Sequence, residues 1–314
     1  MKKNLALCIR FLIIFTLVLV LSSPLVVLYG PFANIRSTAI GAVATSMHAY
    51  LLRYVMSDAE VDRLLAEKDA DSDSSQIISK FENDHSKDVK LTSIASTRYK
   101  GYLLEISDPT RVKVAIAENL GRTGQTASKI AEKIGAVACV NAGGFVDPEG
   151  TGNGGEPWGL VIRNGSFLYG SKSEEAFPLI GLNDQGVLIC GRYTPKQIRE
   201  MKICEGISFN PVLIVNGQKQ ITSGDGGWGI APRSAIGQKA DGHILLLVID
   251  GRQPPYSLGA TLLDVQNILY EAGAITAANL DGGSSTTMYY QGKVINRPCG
   301  AAGERTIPTA FVVI

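Results

Sequence analysis

The stretch NLDGGSSTTMYY, residues 279–290, puts a carboxylate, Asp281, at the end of the apolar run AITAANL and follows it with Gly282, Gly283, Ser284 and Ser285. A strand that delivers an acid into a glycine turn leaves it at a sheet rim, where bare backbone lets a ligand approach. The same residues also suit an ordinary turn closed by the aspartate's own backbone hydrogen bonds. Three further segments combine glycines with polar residues that have no evident structural duty: VNAGGFVD (140–147), GGWGIAPRSAIG (226–237) and IDGRQPPYSLGATL (249–263). Arg233 and Arg252, planted in two of them, offer planar forks for phosphate or carboxylate, unless Arg252 is spent on a neighbouring aspartate.

Other chemistries are excluded by what is missing. The chain has three histidines, and only His243 lies in the core-forming region, where it opens a strand. Without a G-x-S-x-G elbow or a histidine near a nucleophile, the Ser-His-Asp and Cys-His mechanisms fall away and leave carboxylates and arginines. GTGNGG, 150–155, satisfies G-x-G-x-x-G but leads into Glu156-Pro157-Trp158. No long helix opens there to hold a pyrophosphate, so the segment reads as a loop and no cofactor is expected. DADSDSSQ, 69–76, imitates the start of a calcium loop, but Ser74 stands where its glycine belongs and Lys80 where its bidentate glutamate belongs. Cys139, Cys190, Cys204 and Cys299 form no zinc-type spacing; two disulfides or four buried thiols are both compatible with their number. A formal net charge of +1 supplies no field to recruit nucleic acid.

The elements that would position these residues follow from periodicity. Lys2, Lys3 and Arg10 precede an apolar run from Phe11 to about Leu28, which predicts a membrane anchor with a cytoplasmic N-terminus and the rest of the chain outside. Ala42-Val43-Ala44 resembles a signal cleavage site, and either reading exports the bulk of the chain. Residues 57–90 are polar and read as a stalk. YLLEI (102–106) and RVKVAIAE (111–118) are strand-like around the turn SDPT, and AVACVN follows a helix over 127–134 that Gly135 ends. HILLLVID (243–250) reads as a strand buried on both faces. TLLDVQNILYEAG (261–273) carries a cap at Thr261, a capping-box partner at Asp264, an apolar face of Leu262, Val265, Leu269 and Ala272, and a stop at Gly273. Strand, helix and strand then place Asp250 and Asp281 at the carboxyl ends of two strands, on one sheet edge if those strands run parallel.

VNAGGF, APRSAIG, VIDGRQ with LGATLLDVQ, NLDGGSSTTM and the terminal ERTIPTAFVVI, in this order and spacing, resemble the phosphodiester glycosidase family over roughly residues 90–314. That family includes bacterial members associated with exopolysaccharide biosynthesis. The resemblance implies cleavage of a sugar-1-phosphate diester at the glycosidic carbon. Phosphate is a good leaving group, so one acid or base plus cations would suffice where ordinary glycosidases need two carboxyls. In that reading Asp281 attacks the anomeric carbon or activates water, with Glu156 or Asp250 as the second carboxyl. Arg233, and more weakly Arg252, would hold the phosphate. Asn141 and Asn279 would bond sugar hydroxyls, Gly282 and Gly283 would admit the substrate, and Ser284 and Ser285 would serve as hydrogen-bonders. Trp158 and Trp228 would stack on a sugar or simply pack their loops. Arg305 would contact an anion or pair with Glu304 or a sheet-edge acid.

The expected architecture is α+β: a mixed β-sheet core with flanking helices in one domain, 91–314, after a transmembrane anchor in 1–30 and a linker in 31–90. The expected partner is a phosphoglycan or sugar-1-phosphodiester, with the membrane engaged through the anchor, no nucleic acid and no resident metal. Two alternatives stand beside the glycosidase: a non-catalytic phosphoglycan-binding module, and a metal-assisted phosphoesterase using Asp281, Asp250 and Asp147.

Overall fold

The structure, a computed structural model, describes residues 2–31, 33–44, 49–57, 59–60, 81–83, 85–147, 152–170 and 174–314. The calcium-like stretch and most of the expected stalk lie outside the described residues. The helices are α1 (Lys2–Tyr29), α2 (Ala33–Ala44), α3 (Ala127–Ile134), α4 (Pro195–Glu200) and α5 (Leu262–Glu271). The strands begin with β1 (Val89–Ala95), β2 (Lys100–Ile106), β3 (Val112–Ile116), β4 (Ala138–Asn141), β5 (Val161–Arg163), β6 (Ser166–Tyr169), β7 (Phe177–Asn183) and β8 (Leu188–Tyr193). They continue with β9 (Ile203–Ile207), β10 (Val212–Val215), β11 (Gln218–Lys219), β12 (Arg233–Lys239), β13 (Ile244–Ile249), β14 (Ala274–Leu280), β15 (Met288–Tyr290), β16 (Lys293–Val294) and β17 (Thr309–Val313).

These strands form three sheets, ordered β1-β2-β13-β12-β14-β10-β11, β16-β15-β4-β17-β3 and β6-β5-β9-β7-β8. Strands β2 and β3, neighbours in sequence, go to different sheets. The core that joins the sheets is common to all three, with Leu104, Leu246 and Ile236 from the first, Val114, Val140 and Phe311 from the second, and Ile180, Leu188 and Ile207 from the third. The outer face of each sheet is covered by one helix. Helix α5 covers the first, α3 the second and α4 the third. Sheets faced on both sides explain the unbroken apolar run of β13: Leu246 and Val248 enter the common core while Leu245, Leu247 and Ile249 meet α5. The architecture is α+β.

Local signals set the helix ends. Thr126 caps α3 and Gly135 closes it in the left-handed region at φ 64°. In α5 Thr261 and Asp264 make the reciprocal capping box, and Leu262, Val265 and Leu269 are fully buried. Each such side chain contributes roughly 1.5–3 kcal/mol of burial free energy.

Two expectations need correction. Among the described residues every strand pairing is antiparallel, so the sheets are not mixed. Strands β13 and β14 do point the same way, but β12 is hydrogen-bonded between them, with Arg233 opposite Ile249 and Ser234 opposite Leu280. The helix therefore crosses over one intervening antiparallel strand. Among the described residues no helix is long and apolar enough to cross a membrane, so the anchor expected in 1–30 is unsupported. Ser22, Ser23 and Pro24 interrupt the apolar run after Leu21, and the two serine hydroxyls turn back on Leu19 O and Val20 O.

Candidate active site

The carboxyl edge of the first sheet is where β13 and β14 end and β12 begins. Asp250 leaves β13, Asp281 leaves β14, and Arg233 starts β12 between them. Asp281 is tied down by its backbone: its N–H donates to Ala142 O at 3.0 Å, and Asn141 Nδ2 donates to its carbonyl at 2.5 Å. The turn that follows then folds against the entry to β12. Gly283 N–H donates to Pro232 O at 2.9 Å, and a Cβ on Gly282 would lie 2.8 Å from that carbonyl. Gly283 adopts φ 60°, a conformation that glycine takes at little cost.

The side chain of Asp281 is differently placed. The residue keeps a partly accessible surface, but Oδ2 is enclosed and has no hydrogen-bond partner. Burial raises the carboxyl from 3.8 to about 6; the Ser285 hydroxyl, Arg305 and the Gly282 N–H oppose that rise, and Asp147 adds to it. The arginine that acts on Asp281 is therefore Arg305. Its guanidinium pairs with Asp147 Oδ2 at 2.7 Å, donates to Ser284 Oγ at 3.2 Å and lies 4.9 Å from the Phe145 ring centroid. Glu304 is not its partner: that carboxylate takes the backbone N–H and hydroxyl of Ser128 on α3.

Arg233 goes elsewhere. It shares a face of β12 with Ala235, toward α5, where it donates to the carbonyls of Ala260, Trp228 and Gly229. Burial lowers it to about 10, with repulsion from Arg252 and a counteracting pull from Asp225. It is buried, makes no ion pair among the described residues and does not face Asp281. Arg252 is exposed instead, and it is not spent on Asp250 as a neighbouring ion pair would require. Its guanidinium rests against Gly283, 3.2 Å from where a Cβ would stand. Among the described residues Arg252 has no ion pair, which leaves it at the Asp281 turn to meet an anion.

Asp250 is committed. Oδ1 accepts from Asn296 Nδ2 at 3.0 Å and from the Arg297 N–H at 2.9 Å, and Oδ2 accepts from Tyr256 at 3.0 Å. Burial raises its pKa against those three donors. Glu156 is exposed and accepts from the Tyr169 hydroxyl at 3.0 Å. Asp147 is taken by Arg305 and by the Gly152 N–H. The trio Asp281, Asp250 and Asp147 thus offers a cation few unspent lone pairs. Among the described residues no three His, Cys, Asp or Glu side chains are grouped to hold a metal.

Asn141 is a scaffold: besides donating to Asp281 O, it accepts at Oδ1 from Ser234 Oγ at 2.7 Å and the Thr287 N–H at 3.1 Å. Asn279 spends its Nδ2 on Asn210 O but leaves Oδ1 buried and unpaired. Trp158 is exposed beside Gly144, and Trp228 packs edge-on against Phe209. Two residues that the motif reading passed over, Thr286 and Thr287, each bury a hydroxyl with no partner. Of the five such side-chain atoms among the described residues, four therefore lie in 279–287: Asn279 Oδ1, Asp281 Oδ2, Thr286 Oγ1 and Thr287 Oγ1. An unpaired buried polar atom costs about 1–3 kcal/mol, so four within nine residues call for a compensating partner, such as a ligand or an ordered water. The hydroxyl run SSTT was the sequence signal for it. Cys139, Cys190, Cys204 and Cys299 form no disulfide with one another.

A family model described as phosphodiester glycosidase matches residues 134–314. The fold is similar to the catalytic domain of zebrafish N-acetylglucosamine-1-phosphodiester alpha-N-acetylglucosaminidase, auto-inhibited by its pro-peptide, at 20% identity and TM-score 0.63, covering 76% of this chain and 87% of that one. It is also similar to a hypothetical protein from Synechocystis, at 17% identity and TM-score 0.55, covering 72% and 61%. A putative exported protein from Burkholderia pseudomallei gives 16% identity and TM-score 0.53, covering 69% and 74%. In sequence, the SPbeta prophage-derived uncharacterized protein YomE of Bacillus subtilis (strain 168) is 42% identical over 65 residues, 21% of this chain and 10% of that protein. The chain thus matches about a tenth of that relative's length.

Proposed function

The chain belongs to the phosphodiester glycosidase family, and on that premise we propose that it hydrolyses a sugar-1-phosphate diester at the glycosidic carbon, outside the cytoplasm, in cell-envelope or exopolysaccharide metabolism. The observation that carries the reading is the stretch 279–287, which holds four unpaired buried polar atoms, one of them on a carboxyl raised to about 6. A sugar ring is rich in hydroxyls able to satisfy Asn279, Thr286 and Thr287. Asp281 then lies against the anomeric carbon and Arg252 against the phosphate. Extracytoplasmic placement is supported by Lys2, Lys3 and Arg10 ahead of the apolar N-terminal run, the order of an export signal.

In the step itself the bond from C1 to the bridging oxygen breaks and its electron pair leaves on phosphate. Asp281 takes the proton of an attacking water, or bonds to C1 and is released by water in a second step. The departing phosphate carries its own negative charge, so it needs a cation more than a general acid. This is consistent with a site where Asp250 is spent and Glu156 is turned to Tyr169.

The test is turnover of a simple glycosyl phosphodiester in heavy-oxygen water, by the wild type and by Asp281→Asn. The reading expects label in the free sugar and none in phosphate, with release lost in the variant and binding kept. Label in phosphate would reassign the chain to phosphoester cleavage. Binding without release by the wild type would reassign it to a phosphoglycan-binding module.

A further inference from the structure

Three cations crowd the loop beside the Asp281 turn, and the glycosidic step uses one of them. The Arg297 guanidinium lies 4.2 Å and the Lys100 ammonium 4.9 Å from the centroid of the Tyr256 ring. Arg252, on the same loop as Tyr256, rests against Gly283. All three cations are exposed, and no ion pair among the described residues includes any of them. Asp250, the carboxylate on which Arg297 acts, is buried and already accepts three hydrogen bonds.

The arrangement is held by backbone bonds. Gln253 and Ser257 exchange N–H···O bonds of 2.9 and 3.0 Å across the loop. Gln253 Nε2 donates to Arg297 O at 2.7 Å, and Lys100 N–H donates to Ser257 Oγ at 3.2 Å. Arg252 itself adopts φ 57°, which costs a residue with a Cβ roughly 1–2 kcal/mol and is a feature of ligand clamps. Gathering like charges on a rigid loop costs further Coulomb energy, which a bound anion offsets.

We propose that this rim is a second phosphate subsite. It holds the next phosphate along a polymer whose sugars are joined by phosphodiesters, while Arg252 holds the phosphate at the bond being cut. The assignment of Arg252 rests on the glycosidase reading; the subsite at Arg297, Lys100 and the Tyr256 ring rests on the rim alone. A neutral glycan bearing a single phosphodiester would leave Arg297 and Lys100 unused, so the substrate class is a poly(glycosyl phosphate).

The experiment measures binding by the full chain carrying Asp281→Asn, so that no turnover intervenes. The two probes are methyl glucosyl phosphate, with one phosphate, and a glucose 1-phosphate oligomer with three. The oligomer is expected to bind about tenfold more tightly, the order expected of two favourable charge contacts. Adding Arg297→Gln and Lys100→Gln should erase that preference while leaving affinity for the single phosphate and the melting temperature unchanged. Equal or undetectable binding of the two probes, or a preference that survives both substitutions, overturns the subsite. Wild-type turnover of both probes is followed separately. Preferential oligomer binding without sugar release would remove the reaction and leave the subsite standing.

Discussion

Asp250 and Asp281 end two strands that point the same way on one sheet edge, and burial raises the pKa of both. Their side chains nevertheless have opposite fates. Every oxygen of Asp250 accepts from a named donor, whereas Asp281 Oδ2 is enclosed and accepts from none. The surroundings differ in the same sense. Asp250 anchors the loop 250–258 to the segment around Arg297, while Asp281 belongs to a stretch, 279–287, with three other unpaired polar atoms. A strand-end carboxylate is thus a candidate for chemistry by its unspent hydrogen-bonding capacity, not by its place on the sheet.

The largest test of that contrast is Asp281→Asn. Loss of the base or nucleophile should lower kcat by about 10²–10⁴-fold. Stability should move the other way. The folded-state pKa of Asp281 lies above its unfolded value, so the folded chain binds the extra proton and stability falls as pH rises from about 4 to about 6. Removing the charge should therefore stabilise the protein at neutral pH, by at most about 2–3 kcal/mol. Thermal melts beside kinetic assays would check both signs, and a variant that is inactive because it is unfolded would break the contrast.

Asp250→Asn should show the reverse pattern. Its new amide nitrogen would face either the Asn296 amide and Arg297 N–H, which only donate, or the Tyr256 hydroxyl, which would have to turn from donor to acceptor. Exchanging three bonds to a carboxylate for weaker neutral ones, with one reversed, costs about 1–3 kcal/mol. The melting temperature should fall while kcat/KM of the folded fraction holds. A stable but inactive Asp250→Asn would return Asp250 to the chemistry and end the comparison.

Half of this contrast was legible in the sequence. The cap at Thr261 and the stop at Gly135 are local chemistry, so α3 and α5 were visible in the sequence; the cap at Thr126 appears only in the structure. The strand-helix-strand unit put both acids on one edge correctly. The insertion of β12 between β13 and β14 was not legible, because strand order depends on pairings between distant segments. The donors that spend Asp250 were hidden for the same reason: Asn296 and Arg297 arrive from a segment 46 and 47 residues away. Arg233 was different. Strand alternation already set it on the face of Ala235, so its turn toward α5 followed from spacing that the motif reading overlooked.

The smallest test tunes Asp281 without removing it. If its ionised form does the work, kcat/KM should rise through about pH 6 to a plateau, whereas a role as general acid would give a decline through the same pH. Arg305 favours the ionised form and Asp147 opposes it. Arg305→Gln takes away the cation and also leaves Asp147 unpaired, and both changes raise the Asp281 pKa. The limb should then move to higher pH by roughly one unit. Asp147→Asn removes the repulsion and should move the limb to lower pH by less. At Asp250 neither residue is a hydrogen-bond partner, so neither substitution should weaken the loop 250–258. Opposite displacements of one limb, each measured on folded protein, would tie the titration to Asp281. A limb that ignores both substitutions would place the titrating group elsewhere.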